Sequence, residues 1–425
     1  MTDGLIPHRT RPKLYHGWLV VAAAFLVATY GFGLGFYGVG VYLVTLNALH
    51  GWPIAQLSTA ITAYYVLGAT VLFCFVGSLY ERYGARKIVL LGAAALAGGA
   101  LLLPMAGQLW HIYASFAVMS VGWAAMSGAG INIIVAPWFE RHRGVAVSWA
   151  MNGASAGGVL FVPLLTMSIA AAGFATTMAI AAAAMLVVLV PVSLLLRPKR
   201  PDEYEPTFGI APASQQTAPN IPSSDAPPLR LARVMRGTAF ITVSAPFALA
   251  LAAQVGFLTH QVAFLSATMG TVAVGWLVSL TNFAAVLGRI ATGYIADRFD
   301  RRAVACGNFM VQALGLGFLA AAGSPTPLYL GCVLFGLGVG NTASLPGLLV
   351  QQEFPKQHFV RIVSAVVAIN QFTFAFGPML LGELERIADS YLIALAACVL
   401  MELLAAAIVA SPLVLRRMLH AAEVR

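Results

Sequence analysis

Residues 77–87 of this 425-residue chain have the sequence GSLYERYGARK, and residues 293–302, 216 positions later, have GYIADRFDRR. Each stretch places acidic and basic residues directly after a long apolar run. Pro163 and Pro378, each inside an apolar run, keep nearly the same offset of 215 positions. A constant offset of about half the chain predicts a duplicated structural unit.

The apolar runs predict a membrane protein. Hydrophobic residues make up 60% of the chain and charged residues only 9%, with a mean hydropathy of +0.85. Soluble domains average about 45–50% apolar and about 25% charged residues, so lipid must surround most of this chain. A bilayer core needs about 20 apolar residues per helix. Twelve segments qualify: 16–46, 54–80, 87–106, 111–138, 144–170, 174–196, 238–265, 271–296, 303–322, 328–350, 362–384 and 390–415.

The basic residues predict the orientation of these segments. With the N-terminus in the cytoplasm, 22 of the 24 Lys and Arg residues fall in cytoplasmic segments. Arg386 alone falls in an external loop, and Arg289 lies within an apolar segment. Cytoplasmic loops carry excess Lys and Arg, so both termini are predicted to be cytoplasmic. The net charge of +9 is therefore an orientation signal and does not indicate nucleic-acid binding.

The duplication and the apolar segments together predict the domain organisation. We expect an all-α membrane protein with 12 transmembrane helices in two pseudo-symmetric six-helix halves, residues 1–196 and 238–425. The intervening residues 197–237 are rich in Pro, Ser, Ala and Gln. That composition is typical of a flexible linker, here predicted to be cytoplasmic.

Arg289 is the leading candidate for a substrate site. From Thr271 to Ala296 it is the only charged residue. A charge at the centre of a membrane helix costs about 2.5–3.5 kcal/mol, so such residues face a polar cavity or a partner. A guanidinium matches a carboxylate through two hydrogen bonds and stays protonated. Asn282, two helical turns earlier, is predicted on the same face. The alternative is that Arg289 extends to the inner interface or ties two helices together.

Other polar residues inside apolar segments are weaker candidates. Those that could hydrogen-bond a small anion, rather than merely join helices, are Tyr30, Tyr37, Asn152 and Asn370, with Phe374 helping to set the size of the pocket. His260 is the candidate proton carrier because a histidine titrates near physiological pH. A structural histidine is the alternative. Glu402, the clear mid-segment acid, is more typical of a helix-to-helix hydrogen bond than of a proton site.

Residues 77–87 resemble the loop signature of the major facilitator superfamily, with Glu81 in place of its Asp and Ala85 in place of its Arg. Residues 293–302 resemble its partial repeat, with Asp300 where Gly is usual. The resemblance implies that two halves rock about a midplane site. It also implies a gating set at the cytoplasmic helix ends: Gly77, Glu81, Arg82, Gly84, Arg143, Asp297, Arg298 and Arg361. We expect Glu81 to pair with Arg361, and Asp297 with Arg143, when that side is closed.

A narrower resemblance concerns the substrate. Residues 15–25 (YHGWLVVAAAF), 138–158 and 288–299 are similar to bacterial members of the monocarboxylate transporter group and to the neighbouring oxalate:formate antiporters. In that group an arginine followed four residues later by glycine binds the substrate carboxylate, and Arg289 and Gly293 match this pair. The acid that the group carries one turn before the arginine is replaced here by Ala285.

Together these features predict secondary active transport of a small organic anion, most simply a monocarboxylate coupled to protons. We expect a multi-pass, monomeric protein of the inner (plasma) membrane, with no cofactor and no bound metal. No GxxxxGK[ST] motif or nucleophile elbow is present, which argues against ATP hydrolysis and against an enzyme. The alternatives are a carboxylate exchanger of the oxalate:formate type, an exporter of hydrophobic compounds, and a non-transporting membrane sensor.

Overall fold

The computed structural model describes residues 15–140, 142–200, 203, 231–296, 298–321, 323–355 and 358–423. All regular secondary structure in these ranges is helical. In a membrane a helix satisfies its backbone hydrogen bonds internally, so long apolar runs fold as helices. The predicted all-α class is thus confirmed. Most of the predicted linker 197–237 and Asp297 lie outside the described residues.

The helices of the first group, which we call the N-terminal group, are α1 (His16–Phe32), α2 (Gly38–His50), α3 (Ile54–Val71), α4 (Gly77–Leu102), α5 (Leu109–Met126), α6 (Gly128–Val135), α7 (Arg143–Ala172) and α8 (Phe174–Val192). Short π-helical segments, Gly33–Tyr37 and Leu72–Val76, join α1 to α2 and α3 to α4. Short 3-10 turns follow α4, α6 and α8 at Leu103–Met105, Ala136–Trp138 and Ser193–Leu195.

The short helix α9 (Leu231–Met235) precedes the second group, which we call the C-terminal group. Its helices are α10 (Thr238–Ser266), α11 (Thr271–Ala296), α12 (Arg301–Ala320), α13 (Pro325–Thr342), α14 (Leu345–Glu353), α15 (Phe359–Phe374), α16 (Gly377–Ala388) and α17 (Tyr391–Glu423).

Ten helical stretches of the described chain are long and apolar enough to cross a membrane, or eleven if α13 and α14, bent by 46°, form one crossing. The stretch Ile54–Met105 has 52 residues. It would be about 78 Å long as one helix, more than twice the bilayer core. Gly84 interrupts it with φ 79° and ψ 159°, a conformation that favours glycine. The count of twelve crossings and the side on which the termini lie stay predictions.

The two groups contact each other mainly along three helix pairs, which are α2 with α10, α3 with α16, and α7 with α11, and α3 also touches α15. Ser58 on α3 is 3.1 Å from the Nε2 atom of His260 on α10. The backbone N–H of Met379 on α16 donates to the hydroxyl of Thr62 on α3 at 3.2 Å. We call this end of the molecule, which also contains Gly51, the closed end.

The opposite end contains the Gly84 turn and the beginnings of α7, α12 and α15, and we call it the open end. Hydrogen bonds between two described residues of different groups all lie at the closed end or part-way along α7 and α11. None joins the groups at the open end in the ranges that the structure describes. Within the described residues, the hydrogen bonds between the groups are therefore concentrated at the closed end and along α7 and α11.

Candidate functional site

Arg289 lies part-way along α11, one of the helices at which the two groups contact each other. Its Nε donates to the carbonyl of Gly340 on α13 at 3.3 Å, and its NH1 donates to Oδ1 of Asn152 on α7 at 3.2 Å. A Cβ at position 340 would come within 3.2–3.3 Å of the guanidinium, so glycine leaves room for it. The side chain is half-buried, and it forms no ion pair with a described acid. Neutral oxygens therefore hold a cation whose charge is uncompensated.

The seam between α7 and α11 leads from the closed end to this arginine. The Ser279 hydroxyl donates to the carbonyl of Val159 at 2.7 Å. Nearer Arg289, Gly158 packs so tightly against the Asn282 amide that any side chain there would collide with it. Asn282 is buried, and its Nδ2 donates to Val278 within α11. Asn282 thus belongs to the seam, although two turns separate it from Arg289 as predicted.

Tyr37 and Tyr30 occupy different surroundings. Tyr37 is half-buried and interacts electrostatically with Arg289. The ring of Tyr30 instead packs edge-on against Phe161 on α7, with centroids 5.1 Å apart. The π-helical segment between the two tyrosines widens the helical turn, so spacing by 3.6 residues per turn does not hold across it. Tyr37 thus lies within electrostatic range of Arg289, whereas the ring of Tyr30 packs on α7.

An aromatic cluster adjoins Tyr37, and sequence reasoning identified only one of its members. Phe36 stacks on Trp123 of α5 at 5.7 Å and contacts Tyr65 of α3 at 6.0 Å. Tyr65 in turn contacts Phe374 of α15 edge-on at 5.7 Å, which brings rings of both groups together. Asn370, one turn before Phe374, is buried and its Oδ1 has no hydrogen-bond partner. The rings are distant in sequence, so no local pattern could have assembled them.

His260 lies at the closed end and has a full set of partners. Its side chain is buried, with Nε2 3.0 Å from the carbonyl of Pro378 and Nδ1 3.1 Å from the hydroxyl of Tyr391. The Ser58 hydroxyl donates to the carbonyl of Ile54 at 2.7 Å, which leaves its oxygen to accept from Nε2–H. The histidine therefore joins one helix of the N-terminal group to three of the C-terminal group.

Glu402 on α17 is a second buried titratable side chain. Both of its carboxyl oxygens are without a hydrogen-bond partner, and Cys398, one turn earlier, interacts with it electrostatically. Helix α17 packs against α10 and α12 inside the C-terminal group. The predicted helix-to-helix hydrogen bond of Glu402 is therefore not formed in this structure.

The predicted gating residues lie at the open end, and most of them are exposed. Glu81, Arg143 and Arg361 are exposed, and no ion pair joins Glu81 to Arg361. The predicted pair of Arg143 with Asp297 falls partly outside the described residues. The other members that the structure describes at this end are Gly77, Arg82, Gly84 and Arg298. The pairing of Glu81 with Arg361 is predicted for the conformation in which this end is closed, so it stays a prediction.

The second charged loop contains an ion pair that sequence reasoning missed. Arg302 on α12 is buried and pairs with Glu353 of α14 through both Nε and NH2. It also donates to the carbonyl of Val409 on α17 at 3.1 Å. Asp300 caps α12 by accepting from the backbone N–H of Arg302 at 2.8 Å. Arg302 also donates to Thr242 on α10, so it joins four helices of the C-terminal group, and its hydrogen bonds do not reach the other group.

The sequence was compared with families of known proteins. Residues 23–378 match the family described as the Major Facilitator Superfamily. The chain belongs to this superfamily. The resemblance to the superfamily is therefore confirmed, whereas the narrower monocarboxylate group stays a prediction.

Curated members of the superfamily are similar at low identity. The MFS transporter asaE of Aspergillus flavus is 26% identical over 80% of this chain and 73% of the relative. The fujikurins efflux protein of Gibberella fujikuroi is 26% identical over 71% of this chain and 62% of the relative. With the superfamily match, these relatives identify the chain as a multi-pass membrane transporter and not an enzyme.

Solved structures share the fold. A bacterial homologue of the human lysosomal transporter Spinster, in an inward-facing and occupied conformation, has a TM-score of 0.69 at 16% identity, covering 93% of this chain and 96% of the other. The nucleoside transporter NupG, solved as a point mutant, has a TM-score of 0.70 at 12% identity, covering 93% of this chain and 100% of the other. At such identities the likeness shows the fold alone.

Proposed function

We propose that this superfamily member carries a small organic anion, most simply a monocarboxylate, by alternating access to Arg289. The observation that carries the proposal is the half-buried guanidinium between the two groups, held only by neutral oxygens. Burying the Arg289 charge without a counter-charge is unfavourable in free energy. An anion bound beside the guanidinium supplies the counter-charge, so binding is favoured. One guanidinium favours a singly charged substrate over a dicarboxylate.

The same proposal includes the orientation and the organisation of the carrier. The closed end is external and the open end cytoplasmic, in agreement with the distribution of Lys and Arg. The six-helix halves are residues 1–196 and 238–425, joined by the cytoplasmic linker 197–237, and the carrier works as a monomer in the inner membrane. Rocking of the halves opens the closed end and brings Glu81 towards Arg361.

Proton symport is the proposed coupling, with His260 as the proton carrier. His260 contacts helices of both groups, so a change in its charge acts directly on their contact. Glu402 is the rival carrier because its carboxyl oxygens have no partner. An exchange mechanism, which needs a second anion rather than a proton, is the alternative.

A second candidate is export of an apolar anion. One relative is a fujikurins efflux protein. The aromatic cluster of Phe36, Tyr65, Trp123 and Phe374 beside Tyr37 also favours an apolar body on the substrate. Export and uptake use the same site and differ in the direction of net flux.

Transport by purified protein in proteoliposomes tests the proposal. Uptake of radiolabelled acetate, lactate, pyruvate, benzoate and oxalate is measured with and without an inward proton gradient. The same measurement is made for Arg289→Gln and for Arg386→Gln, whose arginine pairs with Glu383 at the surface. We expect Arg289→Gln to reduce uptake of a monocarboxylate about tenfold to a hundredfold, because it removes a charged hydrogen-bond partner. Arg386→Gln should transport normally.

Three other outcomes change the conclusion. Uptake that ignores the gradient but requires a preloaded anion indicates exchange. Accumulation of benzoate only in vesicles of the opposite orientation indicates export. Transport by Arg289→Gln at the wild-type rate contradicts the proposed site.

A further inference from the structure

Among the described residues, the hydrogen bond between Arg289 and Asn152 is the one across the α7–α11 seam that lies farthest from the closed end. Nearer the closed end, Ser279 bonds to Val159 across the same two helices. Beyond Asn152 and Arg289, towards the open end, no hydrogen bond joins the two helices within their described parts. The bond at Asn152 thus connects the substrate arginine of one group to the other group.

The chemistry of the two side chains fixes the direction of this bond. A guanidinium only donates hydrogen bonds, so the amide oxygen of Asn152 must face it and the NH₂ group must point away. Asn152 therefore presents to Arg289 the kind of oxygen that a carboxylate would present. Both side chains are half-buried, so neither is sealed inside the protein.

A carboxylate that binds Arg289 through two hydrogen bonds competes with the Asn152 oxygen for the guanidinium. One edge of the guanidinium offers NH1 and NH2, and the other offers Nε and NH2. Asn152 accepts from NH1, and Gly340 accepts from Nε. The Gly340 carbonyl belongs to the backbone of α13 and is fixed, whereas the Asn152 side chain can rotate away. Rotation of Asn152 therefore frees the NH1–NH2 edge of the guanidinium for a carboxylate, whereas the Nε–NH2 edge stays bound to Gly340.

We propose that Asn152 occupies the place of a substrate carboxylate oxygen in the empty carrier, and that the substrate displaces it. This inference rests on the proposed function of Arg289 as the anion site. Displacement breaks the hydrogen bond of the α7–α11 seam that lies farthest from the closed end in the described residues, so binding loosens the seam that must open when the groups rock. Asn152 is thus a positioning residue: it sets the apparent affinity for the substrate and couples substrate binding to the rocking of the two groups.

The test separates KM from the maximal rate for the monocarboxylate that the wild type carries best among acetate, lactate, pyruvate and benzoate. Asn152→Ala removes the competitor, so KM should fall about threefold to tenfold, the weight of one hydrogen bond. Its maximal rate should fall as well, because binding no longer loosens the seam. Asn152→Asp places a true carboxylate beside Arg289, so KM should rise about tenfold or more.

Ser279→Ala is the matched control, because it removes a hydrogen bond across the same seam without touching Arg289. A fall in KM of the same size in Ser279→Ala would show that loosening the seam is sufficient and would overturn the proposal. A rise in KM for Asn152→Ala would also overturn it, since Asn152 would then be an ordinary substrate ligand.

A second readout needs no substrate. Phenylglyoxal modifies accessible arginines, and peptide mass spectrometry measures its rate at Arg289. We expect Asn152→Ala to be modified several times faster than the wild type, and Asn152→Asp and Ser279→Ala to show no acceleration. An unchanged rate in Asn152→Ala contradicts the inference even if transport is observed. If Asn152→Ala is modified faster but the protein transports none of the carboxylates, the contact of Asn152 with Arg289 is supported and the proposed function is contradicted.

Discussion

The two ends of the molecule are built from the same helices but are held differently. At the closed end, helices of the two groups approach so closely that Gly40 has room for no side chain against the backbone of Thr259. At the open end, the charged loops of both groups are present, yet no ion pair joins described residues across the groups. Small residues and neutral hydrogen bonds join the groups at the closed end, whereas the charged loops of both groups lie at the open end.

Under the proposed mechanism, this difference lets one bundle expose a central site to one side at a time. Among the described residues, the hydrogen bonds between the groups extend from the closed end as far as Arg289. The proposed site therefore lies at the end of this series of hydrogen bonds. Predictions that weaken one end at a time test whether each end has the role assigned to it.

The largest expected effect lies within the C-terminal group at the open end. Glu353→Gln leaves buried Arg302 without its charge partner, and breaking such a pair typically costs about 3–5 kcal/mol. Thermal unfolding in detergent should show this loss. Arg86→Gln is the control, because Arg86 holds the equivalent place 216 positions earlier and is exposed. If the two variants unfold at the same temperature, the Arg302–Glu353 ion pair does not stabilise the C-terminal group at the open end.

The next effect is expected at the closed end. Gly40→Val places a side chain against the Thr259 carbonyl, and overpacking of this kind costs about 1–3 kcal/mol. The closed end should then fail to close, and transport should fall about tenfold or more. Gly98→Val is the control, since a side chain there meets no neighbouring atom. Full transport by Gly40→Val would show that close packing at this end is dispensable.

A smaller and more selective effect is expected at His260. His260→Gln removes the titratable group, so stimulation of uptake by an inward proton gradient should fall about tenfold while exchange persists. Ser58→Ala removes a hydrogen bond to the same histidine but keeps the titratable ring. If Ser58→Ala loses proton stimulation equally, His260 acts through packing alone. If Glu402→Gln loses it instead, the proton carrier is Glu402.

The smallest effect is expected for the gating pair at the open end. An ion pair between exposed side chains contributes about 0.2–1 kcal/mol. Glu81→Gln should therefore slow transport only about twofold to fivefold. Exchanging the charges, as Glu81→Arg with Arg361→Glu, should restore the rate if the two residues meet when this end closes. If the charge-exchanged variant transports no faster than Glu81→Gln, Glu81 and Arg361 do not form a pair when this end closes.

Sequence reasoning succeeded where the signal is local. Apolar runs of about 20 residues give membrane helices because the bilayer accepts no unsatisfied backbone, and Arg289 was conspicuous because no other charge lies in α11. It did not find the partners of Arg302 or the ring contacts of Tyr65. These depend on how helices far apart in the chain pack, which no single segment encodes. The π-helical turn before Tyr37 was missed for a related reason, since helix periodicity was assumed to continue through it.

The close approach of glycine to backbone at the closed end has a consequence for the response to electrolytes. Gly40 against Thr259 and Gly158 against Asn282 are dispersion contacts, and Ser58 with His260 is a neutral hydrogen bond. Mobile ions screen charges but leave such contacts unchanged. Salt concentration should therefore alter the equilibrium between conformations only through the charged loops of the open end. The ion pair that the described residues form near the closed end, Arg386 with Glu383, lies within α16 and joins no two helices of different groups, so ions on that side act less on the contact between the groups.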